Sequence, residues 1–177
     1  MEVTTILGIL GLAAVLLLYA TLVEPYFVRV SRVDVPIEDL PRDLDGFTIC
    51  QLSDTHLSRC GVLERRIGTL LSRIKMDICV LTGDLVNTPS GFSALAEIMS
   101  RARPRFGCFA VPGNGDYRIG VPMPEVLRRW EEAGLTALIN SYTVLPVNGS
   151  RLAVAGVGDP YSGEDRVEAA MPGAGGA

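Results

Sequence analysis

From Val3 to Val23 the chain runs for 21 residues without a charged side chain, bounded by Glu2 and Glu24. As an α-helix rising about 1.5 Å per residue, the run would be about 31 Å long, matching the hydrocarbon core of a bilayer. It therefore predicts a retained transmembrane anchor over residues 1–25. The rival, a cleaved secretory signal, needs a basic start and a small-residue cleavage site, whereas Met1-Glu2 is not basic and Thr21-Leu22-Val23-Glu24 is a poor cleavage site. Arg29, Arg32 and Arg42 all follow the run, so the positive-inside rule predicts a single-pass protein whose remaining domain is cytoplasmic.

The rest of the chain, about 150 residues, is enough for one domain with its own core. A dense basic stripe is missing, because Lys75 is the one lysine and the arginines are scattered, so nucleic acid is not the expected partner. His56 is the one histidine, which limits any imidazole chemistry to a single ring. Cys50, Cys79 and Cys108 sit in apolar runs and read as buried free thiols, while Cys60 falls in a loop.

Punctuation along the chain sets the expected elements. Valines alternating between Val28 and Val35 suggest an edge strand before Pro36. Phe47–Leu52, Ile78–Leu81 and Cys108–Val111 read as strands. Val62–Lys75, Ser93–Arg101 and Met123–Ala133 read as helices, with Leu63, Ile67, Leu70, Leu71 and Ile74 at the spacing of one helical face. Further strands are expected at Ala137–Ile139, Tyr142–Val147 and Leu152–Val157, the last two joined by an Asn148-Gly149 hairpin turn. Strand and helix alternate first and antiparallel strands follow, which predicts an α/β fold. The Ala/Gly/Pro tail, Ala169 to Ala177, should add nothing to the core.

Three strands run directly into polar clusters: Ser53-Asp54-Thr55-His56, Thr82-Gly83-Asp84-Leu85-Val86-Asn87, and Pro112-Gly113-Asn114-Gly115-Asp116. Each cluster alone could be an ordinary turn. In open α/β sheets, however, ligands gather outside the carboxyl ends of strands, so the three should converge. Asp54, His56, Asp84 and Asn114 would then offer oxygen donors and one imidazole, a set suited to Mn, Fe or Zn.

The order Asp-x-His, Gly-Asp with a following Asn, then Gly-Asn-x-Asp resembles the calcineurin-like metallophosphoesterase superfamily, in particular a membrane-anchored bacterial branch containing UDP-diacylglucosamine pyrophosphohydrolase-like enzymes. Gly156-Val157-Gly158-Asp159 fits the same branch, and the likeness runs from about Tyr26 to Ala169. It implies an αββα sandwich, a mixed sheet with flanking helices, of which residues 26–170 would be the N-terminal part and 171–177 a low-complexity tail. The resemblance makes Asp54 and His56 ligands of a first metal, Asp84 the bridge to a second, and Asn114 a ligand of the second metal and of a substrate phosphate. It implies a metal-bridged hydroxide as nucleophile and a phosphoester substrate, lipid-linked in that branch, with Asp116 in a supporting role.

The chain also departs from the pattern. Gly115 stands where the family has a histidine, and the later histidine motifs have no counterpart, since no histidine follows His56. The expectation is a C-terminally truncated relative with at most one metal. Its function would be metal-dependent phosphoester or pyrophosphate hydrolysis, or else that of a catalytically silent remnant.

Overall fold

The structure, a computed structural model, describes residues 3–171 and 173 in two units that divide after Val35. In the first, α1 (Val3–Leu22) leaves its apolar side chains exposed along its whole length, and a short 3₁₀ turn at Glu24–Tyr26 follows, with Pro25 near its start. Val3–Tyr26 is long and apolar enough to cross a membrane. The valine-rich segment beyond it is not a strand, contrary to the alternation in its sequence: Val30, Val33 and Val35 are exposed and no ladder partner faces them among the described residues of the unit. Alternation supplies a face for a sheet, but a strand also needs an edge to pair with.

The second unit is built on a parallel sheet of β1 (Ile49–Leu52), β2 (Ile78–Thr82), β3 (Cys108–Val111) and β4 (Leu135–Ala137), in that order across the sheet. The crossovers contain α2 (Val62–Leu71), α3 (Gly91–Met99) and α4 (Met123–Glu132). Side chains alternate between faces. Cys79, Leu81, Cys108 and Ala110 point into a core with Phe92, Leu95, Ile98, Val126 and Trp130 from the helices. Ile78 and Phe109 point the other way, against Leu138, Leu145 and Val147. That second face meets the antiparallel hairpin β5 (Ser141–Val147) and β6 (Ser150–Gly156). Burial on both faces explains the near-continuous apolar runs of β2 and β3.

Local chemistry sets the boundaries. Asn148 and Gly149 take φ of 50° and 109°, as a tight hairpin turn requires. Gly134, with φ 83°, terminates the α4 turn. Residue 91 must be glycine, because a Cβ there would lie 2.1 Å from the Leu57 carbonyl oxygen. This contact brings the start of α3 against the loop after β1. Cys50, Cys79 and Cys108 lie side by side in register across β1, β2 and β3, all as free thiols. One expectation about the tail needs correction. Ala170, in the short helix α5 (Val167–Ala170), is 1% exposed, because that helix packs against β5 (Ser141–Val147). Residues 172 and 174–177 of the predicted tail lie outside the described residues.

Candidate metal centre

The loops beyond β1 and β2 stay laddered after the strands end. Asp54 N–H donates to the Gly83 carbonyl (3.1 Å), His56 N–H to that of Asp84 (2.9 Å), and Leu57 N–H to that of Leu85 (2.9 Å). Asn87 N–H returns a bond to the Leu57 carbonyl at 2.8 Å. The two clusters, about 30 residues apart in sequence, are thereby fixed against each other. Within them, Asp54, His56 and Asp84 have φ of 51°, 44° and 52°, a left-handed conformation that side-chain-bearing residues seldom adopt. Three such residues in one small region store strain that the surrounding ladder holds, as functional sites commonly do.

The kinked backbone turns three side chains toward one point. Asp54, His56 and Asp84 each offer a ligand atom, all within 4.8 Å of one another, and His56 Nε2 lies 3.8 Å from Asp84 Oδ2. Among the described residues neither carboxylate is paired with a lysine or arginine, and Asp54 keeps only the Ser53 hydroxyl at 2.5 Å. Two converging carboxylates without a counter-charge repel each other, and a cation is what relieves them. The donor set, hard oxygens with one imidazole, fits a divalent ion.

The third cluster closes on Asp84 from the β3 side. Gly115 N–H donates to Asp84 Oδ1 at 2.7 Å. A Cβ on Gly113 would lie 2.4 Å from that same oxygen, and one on Gly115 would lie 2.8 Å from it. Residue 113 must be glycine, since a Cβ there would also lie 2.6 Å from the Asp84 backbone nitrogen, whereas at residue 115 only the end of the Asp84 side chain would have to shift. Asn114 sits between them, half-buried, and so flanks the Asp84 carboxylate by chain position. Asp116 does not face the centre. Fully buried, it accepts Leu85 N–H (3.0 Å) and Val86 N–H (3.2 Å) on Oδ1, and Gly113 N–H (3.0 Å) on Oδ2. Burial pushes its carboxyl above the usual range, against those three bonds, and the charge of Asp84 pushes the same way.

The residues 47–167 match the profile of the calcineurin-like phosphoesterase family, which is more than half of the chain. The chain belongs to that family. Among curated relatives it is 26% identical over 159 residues to the uncharacterized metallophosphoesterase YkuE of Bacillus subtilis (strain 168), an overlap of 86% of this chain and 55% of that one. A transmembrane protein with a metallophosphoesterase domain from Danio rerio is 31% identical over 116 residues, 64% of this chain and 26% of that protein. The UDP-2,3-diacylglucosamine pyrophosphatase LpxG of Chlamydia trachomatis is 31% identical over 106 residues, 56% of this chain and 31% of that enzyme. The chain therefore spans about half, or less, of the length of these relatives. Membership of a metallophosphoesterase family implies use of a divalent metal, and the Asp54–His56–Asp84 group is consistent with it.

Asn87 and Gly113 fall within the motifs read from the sequence, but neither they nor Ser53 received a role there, since the contacts they make across about 30 residues cannot be read from local spacing. The strain is testable. Asp54→Gly removes both a left-handed side-chain-bearing residue and one of the repelling carboxylates. In EDTA it should stabilise the fold by about 1 kcal/mol, read as a higher urea midpoint.

Proposed function

We propose that this chain provides the first cation site of a phosphoester or pyrophosphate hydrolase that works beside a membrane. The observation carrying this reading is the convergence, at strained backbone positions, of one imidazole and two carboxylates that have no lysine or arginine partner among the described residues. A divalent ion, when bound, supplies Lewis-acid polarisation of phosphoryl oxygens and makes water a stronger acid. The chain's residues have distinct duties. Asp54 and Asp84 bring the negative charge, and His56 brings a nitrogen lone pair. Gly115 N–H holds Asp84 Oδ1, which leaves Oδ2 on the His56 side. Asn114 meets a substrate phosphate oxygen, and Asp116 keeps the second and third loops together. Mn, Fe or Zn suits the donors.

The relative LpxG, a UDP-2,3-diacylglucosamine pyrophosphatase, and the apolar α1 helix both support one substrate class. The substrate in this reading is a lipid-linked phosphoester or pyrophosphate. The domain is cytoplasmic, by the basic flank of Arg29, Arg32 and Arg42. Tyr161 is 85% exposed, so a Tyr161→Cys variant should gain labelling by a membrane-impermeant maleimide only after permeabilisation. Gain of labelling in intact spheroplasts would reverse the orientation.

A single histidine favours a second, quieter reading of these 177 residues taken alone: binding without appreciable turnover. A second ion would have Asp84 and Asn114 and no imidazole. Purified full-length chain in detergent should bind one Mn²⁺ and hydrolyse an activated phosphodiester at the level of an Asp84→Asn blank. Gly115→His should not raise that rate, because the added imidazole leaves the second ion with only Asp84 and Asn114 to hold it. Turnover above the blank would discard the quiet reading, and failure to bind any divalent ion would discard the cation site itself.

A further inference from the structure

One contact beside the centre joins the imidazole to a residue with no part in the ligand set. Asn87 Oδ1 lies 2.8 Å from His56 Nδ1. The two residues are held across the short ladder already described, through His56 N–H to Asp84 O, Asn87 N–H to Leu57 O, and the Leu57–Val86 bridge. Their backbones are therefore placed before the side chains meet. An amide oxygen only accepts, so the ring nitrogen facing it must carry the proton. In a neutral imidazole the lone pair then resides on Nε2, the atom 3.8 Å from Asp84 Oδ2.

We propose that Asn87 is the positioning residue for His56: its amide oxygen holds Nδ1–H and so fixes the ring in the tautomer that turns the Nε2 lone pair toward Asp84. An exposed imidazole left to water favours the opposite tautomer, with the proton on Nε2. In that form the nitrogen beside Asp84 would be a donor to the carboxylate and useless to a cation. Asn87 thus converts His56 from a hydrogen-bond donor to Asp84 into a second donor atom for the same ion. The purpose assigned to this contact rests on the cation-site reading, but the contact itself does not.

His56 being the one histidine makes the tautomer directly observable. The test is a long-range ¹H–¹⁵N correlation spectrum of the ¹⁵N-histidine-labelled full chain in detergent, metal-free, at a pH well above the ordinary imidazole pKa of about 6.5. The wild type should show a protonated Nδ1 and a bare Nε2. Asn87→Leu, at an exposed position, should shift the population toward the Nε2–H form, and Asn87→Asp should keep the wild-type pattern. Mn²⁺ affinity, read by calorimetry, should fall about 10- to 100-fold in Asn87→Leu and recover in Asn87→Asp. An Nε2–H form in the wild type, or a spectrum unchanged by Asn87→Leu, overturns the proposal. A wild-type Nδ1–H form that shifts in Asn87→Leu, in a chain that binds no ion, upholds the tautomer and refutes the cation site.

Discussion

Replacing Asp84 by asparagine should lower divalent-cation affinity by at least about 100-fold while leaving the fold in place. Asparagine keeps an oxygen for the Gly115 N–H, which now reaches Asp84 Oδ1 at 2.7 Å, so the third loop has no reason to move. The negative charge is what disappears. Asp84 is the residue that all three loops address: its carbonyl takes the His56 N–H, its carboxylate faces the His56 ring, and Gly113 and Gly115 leave room for it. Outer-shell partners of metal ligands cost about 10- to 100-fold when removed, and loss of a charged ligand must exceed that. Calorimetric titration with Mn²⁺ reads the change. A loss smaller than tenfold would mean that the ion sits elsewhere.

The largest effect on stability is expected from Asp116→Ala. Its carboxylate is the common acceptor for three backbone N–H groups, two from the second loop and one from the third. Alanine leaves those donors in a cavity that the fully buried carboxylate now fills. Each buried polar group without a partner costs about 1–3 kcal/mol. Relief of the strained burial of the carboxylate offsets part of the total, so a loss of about 3 kcal/mol in urea unfolding is the expected result. Cation affinity should fall with it, since the backbone just after Asp84, at Leu85 and Val86, and that of Gly113 are no longer tied to one anchor. A variant as stable as the wild type would show that the two loops are held by packing alone.

How much of this was legible in the sequence differs from residue to residue. β2 and β3 announce themselves as unbroken apolar runs because both faces of the sheet are covered, and the clusters after them were readable as one site because parallel strands deliver their carboxyl ends to one edge. The end of α2 was less legible. Ile74 continues the apolar spacing, yet the helix stops at Leu71, and the residues that follow pack through turns instead. The Val28–Val35 alternation misled for a related reason, since pattern does not provide a partner. Within the site, Gly113 reads as a turn residue, whereas its structural duty is to make room for the Asp84 backbone and carboxylate. The left-handed conformations of Asp54, His56 and Asp84 had no local mark at all. They come from the ladder between two loops about 30 residues apart, the same ladder that brings Asn87 to His56.

The central claim is that Asp54, His56 and Asp84 hold one divalent ion, and the lone imidazole is the most direct reporter of it. Mn²⁺ added stepwise to the ¹⁵N-histidine-labelled full chain should broaden the His56 ring signals by paramagnetic relaxation, with the effect complete at one equivalent and absent at that concentration in Asp84→Asn. Ring signals that stay sharp while the chain binds Mn²⁺, or that broaden equally in Asp84→Asn, would contradict it.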